Sequence, residues 1–214
     1  MDKMIKIRNE EEKDYEKVEE ITRNAFWNLY IPGCNEHYLV HVMRPHEDFL
    51  QELDLVIEVD HHIIGNIMYT KAKLVDESWE EKSILTFGPV CIMPEYQRRG
   101  YGKMLLEHSF HQGLALGYDV IVIFGNPSNY VARGFKSCKK YNICLENGTY
   151  PAAMLVKELK PEALDGRKWI YYDSPVMNID EQEAECFDES LEKMEKKTQP
   201  SQEEFYIHVH SIVQ

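Results

Sequence analysis

The sequence predicts an α/β fold, of the α+β kind in which one sheet is flanked by helices, and three stretches carry that expectation. Residues 83 to 93 form an apolar run with the β-branched and aromatic content of a buried strand. After Pro94 and a short basic glycine turn, Leu105, Leu106, Ser109, Phe110, Gly113 and Leu116 recur at helical spacing, with Gly117 as a stop. Residues 120 to 124, Val-Ile-Val-Ile-Phe, then read as a strand covered on both faces. A strand, a crossover helix and a parallel strand connect right-handedly, so residues 120–124 are expected beside residues 83–93.

The other elements follow in order. Residues 4–8 alternate apolar and basic, as a first strand with one buried face would. Residues 14–29 place Tyr15, Val18, Ile21, Thr22, Ala25, Phe26 and Leu29 on one helical face, with Asp14 near the start. Tyr30-Ile31-Pro32-Gly33 breaks that helix, and a second is expected from about Asn35 to Arg44. Residues 53–58 and 63–69 read as a hairpin about Asp60-His61, with 70–75 continuing its second strand. Asp76 to Lys82 is a charged loop in which Trp79 is expected as a partly exposed packing aromatic. Pro127 to Arg133 suits a short helix, and residues 141–145 and 152–159 are expected as strands joined by the Asn147-Gly148 turn. Residues 178–204 are acidic, suiting a surface helix or a loosely ordered segment, and residues 205–213 read as a last strand.

The turn between the strand at residues 83–93 and the helix after it carries the chemistry. Pro89 has no N–H to offer a neighbour, so a bulge or a splayed edge is expected there. Unpaired N–H groups at a helix start point outward with the positive end of the helix dipole, and glycines allow close approach. Arg98 and Arg99 add positive charge, which suits a pyrophosphate. The order of residues is neither the Walker pattern nor the dinucleotide fingerprint.

Gln97-Arg98-Arg99-Gly100-Tyr101-Gly102 resembles instead the acetyl-CoA signature Gln/Arg-x-x-Gly-x-Gly/Ala of the GNAT family of N-acetyltransferases. Asn126-Pro127-Ser128-Asn129-Tyr130-Val131-Ala132-Arg133-Gly134-Phe135 resembles the Asn…Tyr-x-x-x-Gly-Phe segment after that family's fifth strand. The Gly-Pro-Val-Cys-Ile strand and residues 153–159 are most similar to a bacterial branch of predicted N-acetyltransferases, with departures at Asn129 (usually aromatic) and Ala132 (usually arginine). The resemblance covers roughly residues 4–160. It implies an acyl-CoA N-acyltransferase fold: a mixed, mostly antiparallel central sheet flanked by helices and splayed between strands 4 and 5. Residues 1–160 would be the acetyltransferase domain and 161–214 an acidic extension packed on it or appended to it.

The resemblance also implies the site. Acetyl would pass directly from acetyl-CoA to a primary amine, small or peptidic, in one ternary complex. Pantetheine would bond the open backbone of Val90, Cys91 and Ile92, and the amide near Cys91 would stabilise the developing oxyanion. The pyrophosphate would lie on the amides of residues 98 to 103, with Arg98 and Arg99 nearby, and Gln97, Arg98, Arg99, Gly100, Tyr101, Gly102 and Lys103 would together be cofactor-binding. Asn126 would bond cofactor amides or cap the short helix. Tyr130 is the expected general acid, since a phenol stays protonated at neutral pH and can donate to a thiolate. Glu36, His37 and Tyr38 would touch the amine; the base is open between Glu36, His37 and a water chain. A covalent acetyl-cysteine at Cys91 is disfavoured, because nothing in the neighbouring sequence supplies a base. The alternative reading is a non-catalytic acyl-CoA-binding sensor or interaction module on the same fold.

Composition bounds the partners. The chain has 214 residues, 43% hydrophobic and 29% charged, with a formal net charge of -13, which argues against nucleic-acid and anionic-membrane surfaces. Five widely spaced cysteines include no Cys-x-x-Cys, suggesting neither a disulfide framework nor a zinc knuckle. His37 and His41, and His208 and His210, are spaced so that each pair could share a face, but no third ligand accompanies either and no metal is expected. With no apolar run of spanning length the expectation is a cytoplasmic protein, for which a homodimer is compatible.

Overall fold

A computed structural model describes residues 3–214. In chain order the elements are β1 (Ile5–Asn9), α1 (Tyr15–Phe26), α2 (Glu36–Met43), β2 (Leu55–Val59), β3 (His62–Asp76), β4 (Glu81–Ile92), α3 (Tyr101–Ala115), β5 (Val120–Phe124), α4 (Pro127–Tyr130), β6 (Lys136–Ser137), β7 (Ile143–Cys144), β8 (Met154–Glu158), β9 (Trp169–Tyr172), α5 (Glu181–Glu189) and α6 (Pro200–His210). They build one nine-stranded sheet in the order β1-β2-β3-β4-β5-β8-β6, with β9 paired to β3 and to β7. Neighbours run antiparallel except β4 with β5 and β7 with β9.

Period-two alternation sorts the side chains to opposite faces. Leu55 and Ile57 of β2 join Leu85, Ile121 and Ile123 beneath Leu105, Leu106 and Phe110 of α3. Val56, between them, faces Val18 and Ile21 of α1 and Val40 and Met43 of α2. Val120 and Val122 face a third cluster with Trp169 and Tyr171 of β9. The residues after Val18 and Ile21 on α1 run past the edge of this core. Ala25, Phe26 and Leu29 are therefore left only partly covered, beside the open end of the sheet.

That open end is where β4 and β5 part. The parallel pairing is recorded only at Leu85↔Ile121, whereas β5 keeps five antiparallel pairs with β8. On its other side β4 stays with β3, and the register slips between Ile67↔Val90 and Tyr69↔Phe87, placing a bulge at Gly88–Pro89. A backbone that cannot donate at Pro89 disrupts the ladder there. Gly65 lets β3 and β4 approach: a Cβ on it would collide with the Cys91 carbonyl oxygen and with Ile92 Cδ1. Gly65→Ala is expected to cost about 2 kcal/mol or more, read as a lower urea midpoint at unchanged slope.

Several expectations are corrected. β1 is an edge strand whose Ile5 is 39% exposed, because it pairs only with β2. Trp79 is 83% exposed at the β3–β4 turn rather than packed. The Asn147-Gly148 turn closes locally through the Leu145 and Thr149 backbone, but β7 and β8 do not pair: β8 is taken by β5 and β6, and β7 by β9. Residues 205–213 are not a strand. Pro200 at the first helical turn and reciprocal bonds between Gln199 and Gln202 start α6 there. The strand that residues 161–214 do supply is β9, held against β3 and braced by Arg167 on Asp76 and Glu80.

Candidate active site

A cavity of about 560 Å³ opens between the parted ends of β4 and β5. Its floor is β4 from Phe87 to Ile92. One end is the start of α3, with Gln97, Gly102, Lys103 and Leu106. The other is a wall of Ala25, Phe26, Leu29, Tyr30, Glu36 and Leu39 from the α1–α2 region. Phe124, Gly125, Asn129, Tyr130 and Arg133 line the β5 side, and Phe205 of α6 lies across the mouth.

Strand parity decides which backbone groups are open. The Met93 amide donates to the Ile64 carbonyl across β3, so Cys91, two residues earlier and paired with Asn66, turns its amide and carbonyl to β3 as well. Val90 and Ile92 face the gap. The Ile92 carbonyl there accepts from Gln97 Nε2 at 2.9 Å, so Gln97 braces the turn. Among the three residues expected to offer open backbone, Cys91 is thus the exception. Its thiol donates to Asn66 Oδ1 at 2.9 Å, and burial pushes its pKa up to about 12. A buried thiol held protonated is no nucleophile.

The turn before α3 is built to leave amides free. Gly100 caps the helix at φ +91°, and Arg98 sits at φ +59°. The N–H groups of residues 98 to 103 find no acceptor among the described residues; the first helical bond is Met104 N–H to the Gly100 carbonyl at 3.0 Å. Arg98 and Arg99 are exposed and make no ion pair among the described residues. Tyr101 points its ring into the core, so only its backbone faces the turn. A Cβ on Gly100 would meet nothing within 4 Å, and one on Gly102 only Ile92 Cγ1 at 3.6 Å, which leaves room above the amides. Free amides, nearby positive charge and open space together can hold an anion.

Tyr130 is half-buried on the far side of the cavity floor, its ring against Phe87 at 5.8 Å and Phe135 at 5.6 Å. Burial first, and the neighbouring Tyr30 second, hold its hydroxyl well above the usual phenol pKa. Asn126 is exposed and caps α4, accepting from the Ser128 amide at 3.0 Å.

Of the three residues expected at the amine, only Glu36 lines the cavity. Desolvation raises its carboxyl pKa to about 7, against the lowering pull of its own and the Asn35 amides. His37 is fully buried and faces away: Nδ1 is 3.4 Å from Cys34 Sγ, Nε2 is 3.2 Å from Asp188 of α5, and burial keeps the ring neutral. The Tyr38 hydroxyl bonds Glu183 on the outside of α5 at 2.8 Å. One helical turn places i and i+1 about 100° apart, so three consecutive residues cannot share a wall. Phe26, Tyr30, Leu39, Phe124 and Phe205 are cavity residues that the motifs do not mark. The Pro200 helix start was the signal available for Phe205.

The chain as a whole is similar to known proteins. Residues 16–137 match the acetyltransferase (GNAT) family. The chain belongs to that family. The uncharacterized N-acetyltransferase YhbS of Escherichia coli K12 is 28% identical over 133 residues, covering 61% of this chain and 76% of the relative. The uncharacterized N-acetyltransferase YjhQ of the same organism is 23% identical over 128 residues, covering 60% and 67%. Among solved structures, YhbS from Escherichia coli in complex with CoA has a TM-score of 0.71 at 22% identity, over 84% of this chain and 94% of that one. A GNAT family acetyltransferase from Brucella melitensis in complex with acetyl-CoA has a TM-score of 0.63 at 21% identity, over 82% and 99%. This chain is accordingly a GNAT-family N-acetyltransferase with the GNAT fold, including the parting of β4 and β5. None of its helices among the described residues is long and apolar enough to cross a membrane.

Proposed function

We propose that this acetyltransferase moves acetyl from acetyl-CoA to a primary amine by direct attack in a ternary complex, with residues 1–160 holding the reaction and residues 161–214 completing the acceptor side. One observation carries the reading: a single cavity is lined by Gly102 and Lys103 at the start of α3, the open edge of β4, Tyr130 and Glu36, and the free amides of the turn adjoin it. The CoA and acetyl-CoA complexes of the two structural neighbours support the choice of donor.

In this reading the amides of residues 98–103 and the side chains of Arg98, Arg99 and Lys103 hold the pyrophosphate. Val90 and Ile92 present their backbone to pantetheine, and their amides take over the oxyanion role first expected near Cys91. Acetyl-CoA supplies an activated thioester carbonyl. Glu36, with a carboxyl pKa of about 7, takes a proton from the ammonium form of the acceptor. The free amine then attacks; a C–N bond forms and the C–S bond breaks. Tyr130 gives its hydroxyl proton to the leaving sulfur. The proton lost as the amide forms returns through solvent to the Tyr130 oxygen, and Glu36 releases its proton to water. The net products are an N-acetyl amine, CoA thiol and one proton.

Tyr130→Phe tests this directly. It is expected to lower kcat by about 100-fold while leaving acetyl-CoA affinity, measured by calorimetry, nearly unchanged. An unchanged kcat with chemistry rate-limiting would remove Tyr130 from the reaction. Acetyl-CoA binding without turnover of any amine would point to the binding-module reading instead.

A further inference from the structure

The acceptor end of the cavity is finished by a residue outside the stretch that matches the family, residues 16–137. Phe205 of α6 stacks on Tyr30 with ring centroids 4.2 Å apart and planes 27° from parallel, and Tyr30 in turn meets Phe26 at 5.9 Å. The three rings form one continuous aromatic wall from α1 to α6.

The wall is fixed at both ends. Just before α6 the Lys197 amide donates to Asn28 Oδ1 at 2.9 Å, and in its first turn Gln202 Nε2 donates to the Asn28 carbonyl at 3.1 Å. Beyond it, the Ala152 amide donates to the Ser211 carbonyl and the Val213 amide to the Tyr150 carbonyl, each at 2.8 Å. The helix therefore spans the cavity mouth from the α1 side to the β5–β8 side.

Charge is divided along the cavity. Lys103 and Arg133 lie toward the α3 and α4 side, and among the described residues Glu36 is the one charged group lining the aromatic end. An ammonium there meets a carboxylate and the aromatic side chains that line the same end. A second ammonium would be desolvated with no second carboxylate, and a carboxylate on the acceptor would face Glu36 with no cation.

We infer that the acceptor is a primary amine on an aromatic framework with no anionic group and no second cation, and that Phe205 stacked on Tyr30 determines that specificity. The inference rests on the acetyl-transfer reading above. It extends that reading to a substrate class and assigns a role to the C-terminal extension.

The experiment measures CoA release by the full chain with acetyl-CoA and 2-phenylethylamine, spermidine, L-glutamate, glucosamine or a neutral tripeptide, with acetyl-CoA affinity followed separately by calorimetry. The expected result is a kcat/KM for 2-phenylethylamine at least about tenfold above every other amine. Phe205→Ala is expected to raise the KM for 2-phenylethylamine about tenfold, Phe205→Leu less, and acetyl-CoA affinity is expected to hold in both. Tyr206→Ala, on the exposed side of α6, should change neither. Failure of the wild-type chain to bind acetyl-CoA would overturn the transfer reading and the inference with it. Intact acetyl-CoA binding with no amine turned over would likewise overturn both, whereas spermidine, glutamate, the sugar or the peptide preferred would overturn the inference alone. So would an unchanged KM in Phe205→Ala. The wild-type ranking decides the substrate class even if the variant does not fold.

Discussion

Gly102→Glu is expected to weaken acetyl-CoA binding by about 100-fold or more while leaving the thermal midpoint unchanged or slightly raised. Gly102 lines the cavity in the first turn of α3, with its amide among those that have no acceptor among the described residues. A Cβ there meets only Ile92 Cγ1 at 3.6 Å, an ordinary contact, so the larger residue does not force the backbone. Glutamate is a better helix former than glycine and is favoured by the dipole in a first helical turn. Stability and binding are thus expected to move in opposite directions. Gly100→Glu would be a poorer experiment, because Gly100 holds φ +91° and a side chain there is strained before any ligand arrives. Calorimetric titration with acetyl-CoA, beside a melting curve, separates the two effects. Retained affinity in a folded Gly102→Glu chain would sink the pyrophosphate assignment.

Glu36→Gln is expected to lower kcat/KM by about 100-fold at pH 8 and to change the pH profile. In the wild-type chain kcat/KM should fall below about pH 7, where desolvation leaves the Glu36 carboxyl protonated and unable to accept a proton. The glutamine chain should lack that limb. The same shift has a stability consequence of definite sign. The folded-state pKa lies above the ordinary carboxyl value, so the stability linked to Glu36 is full below the ordinary range and is lost as pH rises through about 7. Glu36→Gln should therefore raise the melting temperature most at pH 8, less at pH 5, and leave it nearly unchanged at pH 4. A wild-type profile flat between pH 5.5 and 8, with chemistry rate-limiting, would exclude Glu36 as the base.

The cofactor side was legible because each of its parts is local. A strand interrupted at Gly88–Pro89, a glycine at a positive-φ cap and a helix starting at Tyr101 lie in one continuous stretch, residues 88–101. Their geometry follows from backbone propensity and from which amides lack a partner. Asn126 is equally local, and its role as a cap follows from Asn-Pro-Ser at a helix start. The acceptor side was much less legible. Glu36, His37 and Tyr38 are neighbours in the chain, yet one lines the cavity, one is buried against α5 and one bonds its outer surface. Which of them faced inward depended on where α5 would pack, 145 residues after Tyr38.

The amino-acid sequence by itself determined the strand-turn-helix unit, the parallel neighbour after it, the hairpin about Asp60-His61 and the family, because period, caps and turn residues act over short spans. Only the tertiary structure decided that Cys91 turns its backbone to β3, that β9 rather than a terminal strand joins the sheet, and that Phe205 reaches Tyr30. Those outcomes depend on strand register and on the competition of distant segments for one sheet edge and one cavity mouth, terms that no local stretch of residues contains.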